Sequence, residues 1–536
     1  MPVPLHGGEF KKQPGPQAQE NNTHRAEALF LLARRKAKNT PPLLKCASWC
    51  RGSQHMKPNM HKGGLGEGLR LWNAEFWGLF RLATPLALAQ AGLALLGLVD
   101  MLVVSRVSDL ALAAVGLGNA LFFTFAVFGM ATLSAVDPLV SQAMGAKEPT
   151  TARTHFWQGV SVSIALSLAL CIPLLACVFS LERFGVEPEL AQLARGYVLA
   201  RLWSLPAMLL FSTCRAYFQG IGKPGRIFYV VAMANLFNLG AVMLFVQGWG
   251  PIPAMGAVGA GLATALCSWL NVGLILWGMG PPEAMGGAEG RGAEGRGGEE
   301  GANTLGPSLG PPPSVLRRPS WKAAKRILKL GLPIGLQAAS ESIVFTFIGV
   351  VAATIGQVAS AAHQAALTWM GFSFCFALGL GNAASVRIGW AIGRKAWGTL
   401  RRTGAVAMAS ALSLMAPWAL LFSVFSHWPA SLTTHSAEAL ALALPLFVIG
   451  GFFQLMDGLN AVVAGLLRGT GDTKPAFYIS MLGYYVIGAP LGLYLAFIRG
   501  MGVKGLWWGL AVGLMAMGPA MALRFYHRIS KPLERV

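Results

Sequence analysis

GGFFQLMDGLNAVVAGLLRGTGDTKPA, residues 450–476, lies in an apolar stretch that carries one carboxylate, Asp457, and closes on Arg468, a Gly469-Thr-Gly471 turn and Lys474-Pro475. A charge at the centre of a bilayer-spanning helix costs about 2.5 to 3.5 kcal/mol, so such an acid usually faces a cavity or a bundle interior. The same pattern recurs outward from this stretch. Apolar runs near the ~20 residues a helix needs to cross the hydrocarbon layer extend over Phe80–Val104, Phe156–Ser180, Arg226–Phe245, Gly256–Met279, Gly404–Phe425 and Val503–Met521. The 536 residues are 54% hydrophobic and 12% charged, against about 25% charged in an average soluble domain. An all-α polytopic membrane protein of about 12 transmembrane helices is expected.

The net charge of +21 does not mark a nucleic-acid partner, because Lys and Arg fall in short clusters between apolar runs rather than along one face. The clusters occupy alternate connections: Lys147 and Arg153; Arg215, Lys223 and Arg226; Arg317 to Arg326; Arg387 to Arg402; Arg468 and Lys474; and Arg524 to Arg535. By the positive-inside rule both termini are cytoplasmic and the number of spans is even. Five of the seven cysteines, Cys171, Cys177, Cys214, Cys267 and Cys375, lie in apolar segments as small hydrophobes. Cys46 and Cys50 have no second ligand pair, and no cofactor is expected.

Residues 1–70 read as a disordered basic tail. Ala26–Lys38 within it suits a short membrane-surface helix, and a true start at Met56 or Met60 is an equal alternative. Residues 280–320 open on GPPEAMGGAEGRGAEGRGGEEGANTLGPSLGPPP, too polar and Gly-rich to bury anything, and read as a cytoplasmic linker. It separates a six-helix bundle over 71–279 from a second over 321–525, followed by a cytoplasmic tail, 526–536.

The two sides match at a nearly fixed spacing. Arg81-Leu-Ala-Thr-Pro85 returns as Lys329-Leu-Gly-Leu-Pro333, and Ala143-Met-Gly-Ala-Lys147 as Ala391-Ile-Gly-Arg-Lys395. Gly220-Ile-Gly222 with Lys223-Pro224 returns as Gly469-Thr-Gly471 with Lys474-Pro475, and Met255-Gly256 as Met501-Gly502. Matches in one order at one spacing indicate duplication. Repeats of six spans are parallel about an axis normal to the membrane, which puts a substrate path in a central cleft between two rocking halves.

Three acids lie inside apolar spans: Asp100 in ALLGLVDMLVV, Glu341 in LQAASESIVFTF, and Asp457. Desolvated carboxyls there can load a small cation and help hold a cationic substrate; the plainer reading is hydrogen bonding that holds helices together. Asn235, Asn238, Gln90, His363 and Gln364 are candidate cavity residues. Asp137 and Asp472 read as interfacial turn residues, each beside a basic connection and a Pro or Gly. Arg201 stands out as a basic residue within an apolar span. No P-loop is present, so direct drive by ATP is not supported.

These segments resemble the multidrug and toxic compound extrusion (MATE) transporters, in their NorM branch. The first half carries Pro85, Asp100, SAVDPLVSQAMGAK, RAYFQGIGKP and MGAVGAGLATAL. The second carries GLPIGLQAASES, AAHQAAL, NAASVRIGWAIG and DGLNAVVAGLLRGTGDTKP. The likeness covers roughly residues 75–525. It implies that Glu341, eight positions after the proline of GLP, and Asp457 belong to the cation site, with Na⁺ possible at both, and that Asp100 is the first-helix acid. The DinF-like branch pairs that acid with an aspartate in the fifth helix, and residues 226–246 here contain no acid. The resemblance further implies exchange of cytoplasmic organic cations for inward Na⁺ or H⁺, by a monomer in a bacterial inner membrane. A lipid-linked oligosaccharide flippase of the same superfamily and a non-transporting receptor or scaffold are the alternatives; the first needs a cationic cavity, and the second leaves the repeat idle. The loop MGAKEPTT does not match a major-facilitator signature.

Overall fold

With no water in the hydrocarbon layer, a spanning backbone must satisfy its own hydrogen bonds, and helices do so within one segment. The computed structural model describes residues 65–104, 107–248, 253–277, 321–434 and 436–536. Cys46, Cys50, Ala26–Lys38, Arg106, Arg317, Arg318 and the linker over 280–320 lie outside them. Among the described residues there is no strand.

The first half contains α1 (Leu65–Val104), α2 (Asp109–Leu133), α3 (Val136–Gly145), α4 (Pro149–Phe179), α5 (Pro188–Leu202), α6 (Ser204–Gly220), α7 (Gly225–Gln247) and α8 (Gly256–Trp277). The second contains α9 (Trp321–Ile355), α10 (Gln357–Gly393), α11 (Trp397–Val424), a short α12 (His427–Thr433) and α13 (Ala437–Gly469). It continues with α14 (Thr473–Met481), a π-helical turn over Leu482–Gly488, α15 (Ala489–Leu493), a second π turn over Tyr494–Ile498, and α16 (Val503–Ile529). Eleven helices among the described residues are long and apolar enough to span, or up to 12 if α5 and α6, bent by 45°, count as one. The chain is thus a multi-pass membrane protein. Helix α1 begins at Leu65, inside the stretch expected as tail, and α16 runs to Ile529 rather than ending near 525. Large apolar side chains stay exposed around the bundle, Ile172 at 72% and Leu236 at 75% among them, as lipid-facing positions require.

Gly68–Val536 pack as one unit that contains both halves. The halves meet through small residues, which let helix backbones approach closely. A Cβ on Gly379 of α10 would lie 2.5 Å from the Ala87 Cα of α1, one on Gly331 of α9 would meet the Thr132 carbonyl of α2, and ones on Gly145 and Gly393 would strike the backbones of Trp390 and Gln142. Polar bonds cross at the same end. Trp390 Nε1 donates to the Gly220 carbonyl at 2.8 Å, and Gln142 Nε2 to the Gly469 carbonyl at 3.0 Å. Glu75 of α1 pairs with Arg387 and Arg402. This is the end that bears the basic connections.

The repeated motifs are helix ends. Glu148 N–H reaches the Ala143 carbonyl and Lys147 N–H that of Met144; Ala396 and Lys395 repeat the pattern onto Ala391 and Ile392. The Gly222-Lys223 and Gly471-Asp472 pairs do the same after α6 and α13. All four are Schellman closures with a left-handed residue just past the helix.

Candidate functional site

In the second half, α9 carries Glu341, α13 carries Asp457 and the first π turn carries Tyr484. Tyr484 is hydrogen-bonded to Glu341, and Asp457 is close enough to Glu341 to interact electrostatically with it. Tyr484 and Asp457 are buried and Glu341 is half-buried. The π turn ends just ahead of Pro490, which has no N–H for the Val486 carbonyl that an α-helix would use; single π turns of this kind often sit at functional sites. Tyr485 OH donates to the Ser340 carbonyl at 2.9 Å and fastens this span to α9 beside Glu341. One turn either side of Asp457, Gln454 Nε2 donates to Ser373 Oγ at 2.7 Å and Asn460 Nδ2 to the Leu514 carbonyl at 3.2 Å. Their carbonyl oxygens, Gln454 Oε1 and Asn460 Oδ1, are buried acceptors without a protein donor. Oxygen ligands of this type suit a hard cation or a proton. Among the described residues no group of three or more His, Cys, Asp or Glu could hold a metal ion.

In the first half, Asp100 of α1 is 3% exposed. Its Oδ1 accepts from Asn238 Nδ2 of α7 at 2.8 Å and its Oδ2 from Thr264 Oγ1 of α8 at 2.7 Å. Asn238 therefore occupies the fifth span as an amide partner to this acid. Arg201 of α5 lies within electrostatic reach of Asp100. It donates to Asn119 Oδ1 at 2.8 Å and to the Tyr197 hydroxyl, and its guanidinium sits 4.7 Å from the centre of the Phe122 ring.

The other candidates are dispersed. Asn235 Nδ2 donates to the Gly92 carbonyl at 3.1 Å, joining α7 to α1. Gln90 Oε1 accepts from Arg215 of α6. His363 is fully buried, its Nδ1 accepting from Trp507 Nε1 at 3.2 Å, whereas Gln364 is exposed. Asp472 fits its expected place, its carboxylate gripped by Arg524 at 2.8 and 3.2 Å. Asp137 does not: it is 1% exposed in α3, facing Ser385, Arg468 and Arg215 where the halves meet. Sequence reasoning passed over Tyr484 and Thr264, neutral residues in apolar spans whose importance comes only from the acids they touch.

Comparison with known proteins matches the duplicated plan. The MatE family model matches residues 85–244 and again 333–494, beginning on Pro85 and on Pro333. A probable multidrug resistance protein NorM of Shewanella oneidensis is 31% identical, over 84% of this chain and 94% of its own. Multidrug resistance protein MdtK of Proteus mirabilis is 28% identical over 84% and 94%. Among solved structures, the eukaryotic MATE transporter AtDTX14 superposes with a TM-score of 0.74 at 17% identity, over 86% of this chain and 98% of its own. An outward-facing multidrug resistance MATE family transporter gives 0.73 at 20% identity, over 85% and 96%. Since each half is matched by one model and most of the chain is shared with NorM and MdtK relatives, the chain belongs to the multidrug and toxic compound extrusion (MATE) family of membrane transporters, in its NorM-like part.

Proposed function

We propose that this transporter exports organic-cation drugs from the cytoplasm in exchange for inward Na⁺ or H⁺, by alternating access between its two halves. The observation that carries the reading is the enclosure shared by Glu341 and Asp457. Neither carboxylate pairs with a basic side chain among the described residues. Two unneutralised carboxylates in a low-dielectric interior repel strongly, and taking up a small cation relieves the repulsion. A site that binds the ion better in one packing of the halves than in the other shifts the equilibrium between them by that difference in affinity. Tyr484 links this event to a span with two π turns that packs against α9 and α16.

The positive-inside rule puts the basic end, and with it both termini, on the cytoplasmic side of a bacterial inner membrane. The contacts at Gly379, Gly331 and Trp390 then shut the cytoplasmic face. A lipid-linked oligosaccharide flippase would need free cationic groups for a diphosphate. Here Arg215 faces Asp137 and Gln90, which favours the drug exporter.

The test is accumulation of a fluorescent cationic dye in cells expressing the protein, with Na⁺ and pH varied separately. Glu341→Gln and Asp457→Asn are each expected to abolish cation-driven efflux at normal expression. Unchanged efflux in both would overturn the coupling site.

A further inference from the structure

The seam between the halves at the basic end has two matching sides. Gln142 and Trp390 hold equivalent places, each just ahead of the repeated motif at Ala143 and Ala391. Each donates across the seam to the carbonyl of an equivalent glycine: Trp390 Nε1 to Gly220 at 2.8 Å and Gln142 Nε2 to Gly469 at 3.0 Å. Two residues further on, Gly222 and Gly471 turn the chain with φ of 78° and 76°. Over Gly222 lies the Trp390 indole itself, 3.0 Å from where a Cβ would stand. Glutamine has no ring to place over Gly471, and a gap there would forfeit packing on both walls. The place is taken by the Val536 side chain, whose own amide donates to Gln142 Oε1 at 2.8 Å. Gln142 and Val536 together do on one side what a single tryptophan does on the other.

We infer that residues 530–536 are a built-in latch that completes this seal and holds the basic end shut. The root of the segment belongs to the second half: Arg401 Nη2 donates to Ser530 Oγ at 3.4 Å, and Arg528 Nη1 of α16 to the Pro532 carbonyl at 3.3 Å. The tip reaches the first half, where Arg535 forks onto Glu148 at 2.8 and 2.7 Å and Val536 meets Gln142. Those tip contacts exist only while the halves are together, so they favour the closed packing by their own free energy. Tethering to α16 lets the tip re-form them at high effective concentration. The inference rests on the proposed alternation between two packings and adds to it a brake that neither substrate nor coupling ion supplies. A segment that merely covered a helix end would change melting without changing how often the seam opens.

The test is the rate of maleimide labelling of a cysteine at Ser385, which is fully buried, in purified chains whose native cysteines are alanine. Removal of residues 531–536 is expected to raise the rate about fivefold or more, within the usual range of coupling between sites. Val536→Gly in the full-length chain, which removes only the side chain over Gly471, should raise it in the same direction. Adding Gln142→Trp to the shortened chain should restore the original rate by rebuilding the ring that Trp390 supplies opposite. Gly379→Ala, which pries the halves apart elsewhere, reports separately that this end opens. If Gly379→Ala raises labelling and neither change to the segment does, the latch fails and the alternation stands. A shortened chain that stays open with Gln142→Trp overturns the equivalence with Trp390 and the latch with it. If none of these variants alters labelling, the alternation fails and takes the latch with it.

Discussion

Tyr484 meets Glu341 from within a π-helical turn, so the hydroxyl is aimed by a backbone irregularity that Pro490, just beyond the turn, helps to impose. The edge of its ring packs on Phe345, one turn beyond Glu341 on α9, with centroids 6.3 Å apart. The carboxylate is thereby held by a hydrogen bond from a ring that is itself braced by an aromatic contact, within electrostatic reach of Asp457.

Removing that hydroxyl should impair transport more than folding. A hydrogen bond to a charged group is worth about 1.5 to 3 kcal/mol, so Tyr484→Phe is expected to change the cation concentration for half-maximal efflux by about tenfold or more. Tyr485→Phe is the control. Its lost bond is to the Ser340 carbonyl, a neutral contact worth about 0.5 to 1.5 kcal/mol, and it should lower thermal stability while leaving the cation dependence in place. Dye efflux in proteoliposomes at stepped Na⁺ and pH reads the cation dependence of both variants, and thermal unfolding of the purified proteins reads their stability.

Gly379 should act as a spacer between the halves. A Cβ there would lie 2.5 Å from backbone atoms of Ala87, whereas Gly371, two turns earlier on the same helix, has open space around it. Overpacking costs about 1 to 3 kcal/mol. Because the strain is relieved when the halves part, Gly379→Ala should shift the balance toward the form open at the basic end by about 5- to 150-fold. Maleimide labelling of a cysteine placed at the buried Ser141 should rise accordingly, and Gly371→Ala should leave it unchanged.

Much of this plan is legible in the sequence, because apolar run length and the positive-inside rule act locally and a duplication leaves its spacing behind. The repeats at Ala143 and Ala391 stand out since helix termination demands a specific backbone. The spans themselves conceal what acids touch. Asp137 reads as a turn residue because Pro138 follows it, yet proline is tolerated in a first helical turn, and the carboxylate ends up buried between halves opposite Ser385 and Arg468. The partners of Arg201 and Asp100 are 82, 138 and 164 residues away in the chain, distances over which no periodicity carries information. Gln90 is conspicuous as a polar residue in an apolar run, but only the fold shows that Arg215 claims it.

Lys147 and Lys395 occupy equivalent positions in the two halves and, among the described residues, are the non-glycine residues with positive φ, at 61° and 58°. A left-handed conformation costs a residue with a Cβ about 1 to 2 kcal/mol, while Gly222 and Gly471 close the same kind of motif freely. Lys147→Gly and Lys395→Gly are therefore expected to hold or raise the melting temperature of the purified protein. Lys147→Val should lower it, since a β-branched side chain tolerates this region least. In the proposed orientation the lysine charge adds to the basic end, so the glycine variants should insert less faithfully even as they gain stability, which a topology reporter at the C-terminus would register.

The segment after α16 folds back over both halves. Arg535 grips Glu148 at 2.8 and 2.7 Å, the Val536 amide donates to Gln142 Oε1 at 2.8 Å, and Leu533 is buried. The Arg535 hydrogen bonds hold the Glu148 carboxyl below its ordinary value of 4.5. A depressed value in the folded state means the contribution is complete above pH 4.5 and is lost as pH falls through the lower, folded value. The pair is exposed to solvent, so salt should weaken it as well. A nitroxide on Glu534→Cys is expected to be immobile at neutral pH and low salt, and to loosen on acidification below 4.5 and at high salt. In a Glu148→Gln background the label should be loose already and insensitive to acid. A label equally immobile in that background would mean that Val536 and Leu533 alone hold the segment, and that the ion pair contributes nothing to the closed end.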